Sequence, residues 1–173
     1  MLLASQDARI KLRPRHVEDA QALFSTMSDP EMMRYWSRAP FTSVVELQND
    51  FACAEQSSWC SWTITRADDN HVIGFVAVGK RREKVAEIGY LLVREAQGYG
   101  FAQEALGLLI THLFAQGYRR IFADVDPDNT PSVKLLQKLG FTLEGRLRAD
   151  WETHIGIRDS FIFGLLVQEW RGL

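Results

Sequence analysis

The chain has 173 residues, 46% of them apolar, enough for one domain to bury a substantial core. A formal net charge of −2 gives no strongly basic face for nucleic acid, and the two cysteines, Cys53 and Cys60, lie outside any CxxC or other metal spacing and read as reduced thiols. His16, His71, His112 and His154 form no i,i+4 pair, so no metal is expected; without a leader-like start or a run of membrane-spanning length, the protein is expected to be soluble and cytoplasmic, with no membrane partner.

Residues 9–13 alternate charged and apolar side chains up to Pro14, which predicts an edge strand. Val17, Ala20, Phe24 and Met27 recur at helical spacing, and Asp29-Pro30 has the form of an N-cap followed by proline, predicting a second, short helix. Ser43 and Glu46 have capping-box spacing ahead of Leu47 and Phe51, which predicts a third. Between those helices lies an aromatic loop from Tyr35 and Trp36 to Phe41. Residues 59–66 and 72–79 are β-branched or aromatic runs separated by Asp68-Asp69-Asn70, the chemistry of a hairpin turn.

A further strand is expected at 85–93, then the turn Gln97-Gly98-Tyr99-Gly100, then a helix with Ala102, Leu106, Leu109 and Leu113 on one face. Residues 120–125 predict another strand. Thr130-Pro131 starts a short helix that Gly140 ends, and strands at 141–151 and 159–167 close an α/β sheet of mixed direction. No repeat or linker divides the chain, so residues 1–173 are expected to form one domain.

A strand that runs through a Gly-x-Gly turn into a helix gathers free backbone N–H groups and the positive end of a helix dipole, a setting suited to a pyrophosphate. Gly98 and Gly100 let the backbone approach phosphate oxygens, and Ala102 is small enough for tight packing at the helix start. A glycine pair here is as often a plain tight turn. A dinucleotide fingerprint would need a small residue where Gln103 stands, and a phosphate-gripping loop would need a Gly-Lys-Ser/Thr ending that is absent.

The run Gln97-Gly98-Tyr99-Gly100-Phe101-Ala102 resembles the Gln/Arg-x-x-Gly-x-Gly/Ala signature of the GNAT acetyltransferase superfamily, whose loop holds the coenzyme A pyrophosphate. Ala86 to Tyr90, Asp126 to Asn129, Lys138 to Phe141, Glu144 to Asp159 and Glu169-Trp170 resemble its ribosomal-protein N-terminal acetyltransferase (Rim-type) branch. The resemblance implies a GNAT fold, with a mixed central sheet flanked by helices and two splayed parallel strands, here 85–93 and 120–125, that bind the cofactor. It implies that Leu91, Leu92 and Val93 offer main-chain hydrogen bonds to pantetheine, in the manner of strand addition. By the same resemblance Glu87 is a base acting through water, and Asn129 and Ser132 hydrogen-bond the coenzyme near its amide and sulfur. From the residues alone, Glu87 could equally be exposed or ion-paired, and Asn129 and Ser132 could simply cap a helix.

In one respect the chain departs from the pattern. Seven residues after the asparagine, where many members carry a tyrosine as general acid, stands Leu136. Ser132, water or Tyr90 would then protonate the thiolate, or it would leave unassisted, which a thiol pKa near ~8.5 tolerates. Trp36, Phe41 and Tyr90 are the candidate acceptor-binding residues, though aromatic residues at such positions also build cores.

The expected activity is direct transfer of acetyl from acetyl-CoA to an amine, without a metal, by a monomer or homodimer. The resemblance names a protein N-terminal α-amine first. The alternatives are a small amine such as a polyamine or an aminoglycoside and, in another class, a non-catalytic sensor of coenzyme A or its acyl form.

Overall fold

A computed structural model describes residues 2–4, 9–54 and 59–172. Seven strands form one sheet in the order β1-β2-β3-β4-β5-β7-β6. They are β1 (Ile10–Pro14), β2 (Trp59–Arg66), β3 (Val72–Arg82), β4 (Val85–Leu92), β5 (Arg120–Val125), β6 (Thr142–Thr153) and β7 (Gly156–Leu166). The helices are α1 (Asp19–Met27), α2 (Val44–Ala54), α3 (Phe101–Ala115) and α4 (Thr130–Lys138). Every neighbouring pair is antiparallel except β4 and β5, which run parallel, giving the mixed sheet that the sequence predicts.

Local chemistry accounts for most boundaries. Pro14 ends β1 on the sheet edge, where a missing N–H costs no ladder bond. The Ser43 hydroxyl accepts the Glu46 N–H at 3.1 Å, while the Glu46 carboxylate turns back to the Thr42 N–H at 2.8 Å, so the capping box forms one residue offset. Pro131 stands in the first turn of α4, and Gly140 follows that helix at φ +87°. In α3, Leu106, Leu109 and Leu113 are buried as their spacing predicts, and Ala102 is partly so.

Asp29-Pro30 does not start a helix. The Asp29 carboxylate accepts the Glu31 N–H as a cap would, at 2.8 Å, but the segment continues only as turns up to Tyr35. Tertiary demands win here. Met33 is fully buried, and Asp29 also holds Arg94 at 2.8 Å, tying this loop to the segment after β4. The closing hairpin is longer than expected, with β6 continuing to Thr153 and β7 starting at Gly156.

Asp19, the first residue of α1, joins three elements. Its carboxylate accepts from the Arg13 guanidinium at 2.5 and 2.8 Å, the Thr63 hydroxyl at 2.6 Å and the His16 N–H at 2.9 Å. Burial by itself would raise its pKa, but these bonds outweigh it and hold the carboxyl below the usual range.

Candidate active site

β4 leads through Val93 and a 3-10 turn at Arg94–Ala96 to Gly98 and Gly100, both at φ +84°, a left-handed conformation that favours glycine. Gly100 is the N-cap of α3 and offers no side-chain cap, so the first N–H groups of the helix face outward with the positive end of its dipole. The Gln97 amide nitrogen donates to the Leu92 carbonyl at 3.3 Å, folding the loop back on the end of β4. On the far side the Arg9 guanidinium donates to the Tyr99 carbonyl at 3.1 Å, bonds Glu104 at 3.1 Å and lies 4.9 Å from the centre of the Phe101 ring. Glu104, the acidic side chain of the first turn, is thereby neutralised where an anion would be received. Backbone donors, two left-handed glycines and a compensated carboxylate make the segment 97–102 fit a pyrophosphate.

The two parallel strands pair only through Val85 with Arg120, Ala86 with Ile121 and Glu87 with Phe122, and then part. The Val93 N–H bonds to the Ile73 carbonyl at 2.9 Å, and the β3–β4 register makes Leu91 and Gly89 the next residues bonded to β3. Alternation turns the main-chain groups of Tyr90 and Leu92 toward the opening. Of Leu91, Leu92 and Val93, it is therefore Leu92 whose backbone faces the gap, with Tyr90 as its companion.

On one face of the opening, the Tyr90 and Ser132 hydroxyls lie 2.5 Å apart. Burial pushes the Tyr90 phenol up to about 12, against a smaller opposing effect of the Ser132 bond, so it remains a proton donor throughout the neutral range. The Asn129 carboxamide oxygen accepts the Ser132 N–H at 3.3 Å and caps α4, and both residues line the same cavity as Tyr90. Leu136 is fully buried in the core and does not line that cavity.

The cavity, about 630 Å³, continues through the gap to the opposite face. Glu87 stands in its wall, bonded to the Arg81 guanidinium, and Arg81 lies 5.4 Å from the centre of the Trp59 ring. Trp36 and Phe41 line it; the Trp36 ring centre is 5.7 Å from that of Phe75, and the Arg38 guanidinium lies 3.4 Å over Phe41. Deeper in the wall, Arg158 bonds Asp126 at 2.7 and 3.0 Å and Asp128 at 2.5 Å. Asp126 would be raised by burial, yet the Arg158 bonds hold it below the usual carboxylate range.

Comparison with known proteins agrees with this geometry. The family model described as an acetyltransferase (GNAT) domain matches residues 9–142. The chain belongs to the GNAT acetyltransferase family. It is similar to p20, an uncharacterised N-acetyltransferase of Bacillus licheniformis, with 38% identity over 173 residues covering 95% of this chain and 96% of the relative. It is also similar to the spermidine N(1)-acetyltransferase of Escherichia coli K12, with 27% identity over 141 residues covering 80% and 75%. Among solved structures, the ribosomal L7/L12 α-N-protein acetyltransferase RimL in complex with coenzyme A superposes with a TM-score of 0.83 at 21% identity, covering 96% of this chain and 98% of that one, a likeness of fold.

Within this GNAT enzyme the residues singled out in the sequence fall into two groups. Gln97 to Ala102, Leu92, Tyr90, Asn129 and Ser132 gather at the loop and the gap, whereas Glu87, Trp36 and Phe41 meet on the opposite side of the cavity. Asp124, Arg158 and Ser160 also line the cavity and were not singled out. Counting by two from Phe122, the partner of Glu87, places Asp124 on the Glu87 face of the sheet, a register that the structure shows and the sequence does not. The roles of Arg158 and Ser160 depend on pairings across the sheet that local pattern does not encode.

Proposed function

We propose that this chain is a single-domain, cytoplasmic N-acetyltransferase that moves acetyl from acetyl-CoA directly to an amine, with a protein N-terminal α-amine as the first candidate acceptor. The observation that carries the reading is the loop 97–102 standing at the mouth of the gap between β4 and β5, with one cavity reaching through that gap. Acetyl-CoA would bring the acyl group already activated as a thioester.

The backbone N–H groups of Gly98 to Ala102 would hold the pyrophosphate, and the main chain of Tyr90 and Leu92 would align the pantetheine arm between the strands. Glu87 would take a proton from the acceptor amine through water while the nitrogen forms its bond to the acyl carbon. As the carbon–sulfur bond breaks, the Tyr90–Ser132 pair would return a proton to the thiolate. This assigns to Tyr90 the donor role that Leu136 cannot fill from the core.

A small linear amine is the second reading, favoured by the aromatic and acidic walls that Trp36, Trp59, Trp151, Glu87 and Asp124 give the cavity. The test is acetyl-CoA consumption with an unblocked N-terminal peptide, spermidine and an aminoglycoside, followed by mass analysis of each acceptor. Binding of acetyl-CoA without acetylation of any amine would instead support a sensor.

A further inference from the structure

Five carboxylates line the cavity, and four of them are matched with arginine: Asp50 with Arg38 at 3.0 Å, Glu87 with Arg81, Asp126 with Arg158 at 2.7 Å and Asp159 with Arg146 at 2.6 Å. Asp124 differs. Among the described residues its carboxylate receives one neutral donor, the Trp151 indole N–H at 2.8 Å, and no cation. The position matters as much as the pairing. Glu87 and Phe122 are the last bonded pair before the strands part, so Asp124 lies two residues into the gap, level with Gly89 and beside Tyr90. It shares a sheet face with Glu87, on the side of the cavity away from the Tyr90–Ser132 hydroxyls.

A second, independent feature points to a ligand at this place. The Ser160 side chain is 1% exposed, lines the cavity, and its hydroxyl oxygen has no hydrogen-bond partner. An unsatisfied buried hydroxyl is destabilising, and a group that is costly to the empty fold is explained if the occupied site satisfies it. Ser160 is two residues from Ile162, the β7 partner of Asp124, so carboxylate and hydroxyl are diagonal neighbours on one face of the sheet.

We propose that Asp124 and Ser160 form the subsite that receives the cationic ammonium of the acceptor, with the Trp151 indole orienting the carboxylate. The inference rests on the acetyltransferase reading above and deepens it by specifying that the acceptor docks in its charged form. An ammonium has three donors; Asp124 supplies charge and an acceptor, and Ser160 a neutral acceptor. Docking there precedes loss of the proton toward Glu87, which lies on the same face. Of the other charged groups lining the cavity, Asp159 is paired with Arg146 and Glu87 with Arg81, whereas the single Arg158 is shared by Asp126 and Asp128, so that cluster keeps a net negative charge that also favours a cation.

The experiment uses the full chain with acetyl-CoA and two probes, spermidine and an unblocked N-terminal peptide. With whichever probe the wild type acetylates, Asp124→Asn should raise the amine KM about 10- to 100-fold, the scale of a charge-assisted hydrogen bond, while the acetyl-CoA KM stays unchanged. The ratio between the two proteins should shrink as pH rises through the pKa of the amine, because a neutral amine keeps only a hydrogen bond to the carboxylate and loses the charge attraction. Ser160→Ala should raise the amine KM several-fold while its Tm equals or exceeds that of the wild type, a combination that a purely structural serine would not show. Trp151→Phe separates positioning from charge: it should raise the amine KM by less than Asp124→Asn does and keep the pH dependence that the carboxylate confers.

An unchanged amine KM in Asp124→Asn overturns the subsite. So does a pH-independent rise that Trp151→Phe reproduces in full, because the carboxylate would then act only by holding the indole. A wild-type protein that binds acetyl-CoA and acetylates neither these probes nor an aminoglycoside overturns the amine-acceptor reading itself, and the subsite with it.

Discussion

The Tyr90 hydroxyl lies 2.5 Å from the Ser132 hydroxyl across the opening between β4 and α4. Two side chains brought from strand and helix thus share one proton-bearing contact beside the gap. Replacing Tyr90 by Phe removes the phenolic donor without emptying the space. The turnover number should fall by about 10- to 1000-fold with little change in the acetyl-CoA KM. Ser132→Ala should act in the same direction, and the double variant should lose little more than the worse single one, because the two act as a unit. Additive losses would separate their roles.

The same burial has a consequence for stability. The Tyr90 phenol is pushed up to about 12, above its unfolded value of ~10, so the folded state binds that proton more tightly. Its contribution is fully present below pH ~10 and is lost as pH rises toward about 12. Alkaline unfolding of Tyr90→Phe should therefore show a weaker pH dependence in that window, as followed by circular dichroism.

Asp19 behaves in the opposite sense. Its carboxyl is held below the unfolded value, so its contribution is present above pH ~4 and disappears as pH falls through the lowered native pKa. Asp19→Ala leaves the partly buried Arg13 without its partner, and should cost about 3 kcal/mol at pH 7, with the difference from wild type narrowing on acidification. Urea titrations at pH 7 and pH 3 measure both values.

Glu87 and Arg81 define the base side. If Glu87 removes the amine proton, Glu87→Gln should lower turnover at pH 7 by about 10- to 1000-fold, with acetyl-CoA affinity unchanged and part of the loss recovered at higher pH. The recovery should come earlier for an α-amine, of pKa ~7.7, than for a lysine-like amine, near ~10.4. Full turnover across the pH profile would reduce Glu87 to a partner that holds Arg81 against Trp59.

The fold was legible in the sequence wherever local chemistry decides conformation. Gly98 and Gly100 mark a left-handed turn because other residues are strained there, and Leu106, Leu109 and Leu113 mark a helix face because burial repeats with the helical period. Asp29-Pro30 misled because its cap chemistry is present and even used, while the buried Met33 and the bond to Arg94 determine the path of the chain. The site divides along the same line. The phosphate loop is contiguous and could be read, whereas the Asp124 carboxylate, the orphaned Ser160 hydroxyl and the Arg9 clamp on Tyr99 and Glu104 arise from residues far apart in sequence.

That clamp is testable by itself. Arg9→Ala should raise the acetyl-CoA KM by about 3- to 10-fold through a looser loop and an uncompensated Glu104, while changing stability by less than about 1 kcal/mol, because Arg9 is 56% exposed. Acetyl-pantetheine, which lacks the pyrophosphate, should show no such change.

The most direct test of the central claim combines ligand binding with product analysis in the wild type and Gly100→Val. Acetyl-CoA at ~100 times its dissociation constant should stabilise the wild type by about 2.7 kcal/mol. Mass analysis should find one acetyl group on the nitrogen of an added amine. Gly100→Val, which forces a β-branched residue into φ +84° at the start of α3, should lose both the stabilisation and the product. The account is contradicted if Gly100→Val keeps the full thermal shift, or if the wild type binds acetyl-CoA and leaves every amine in the panel unmodified.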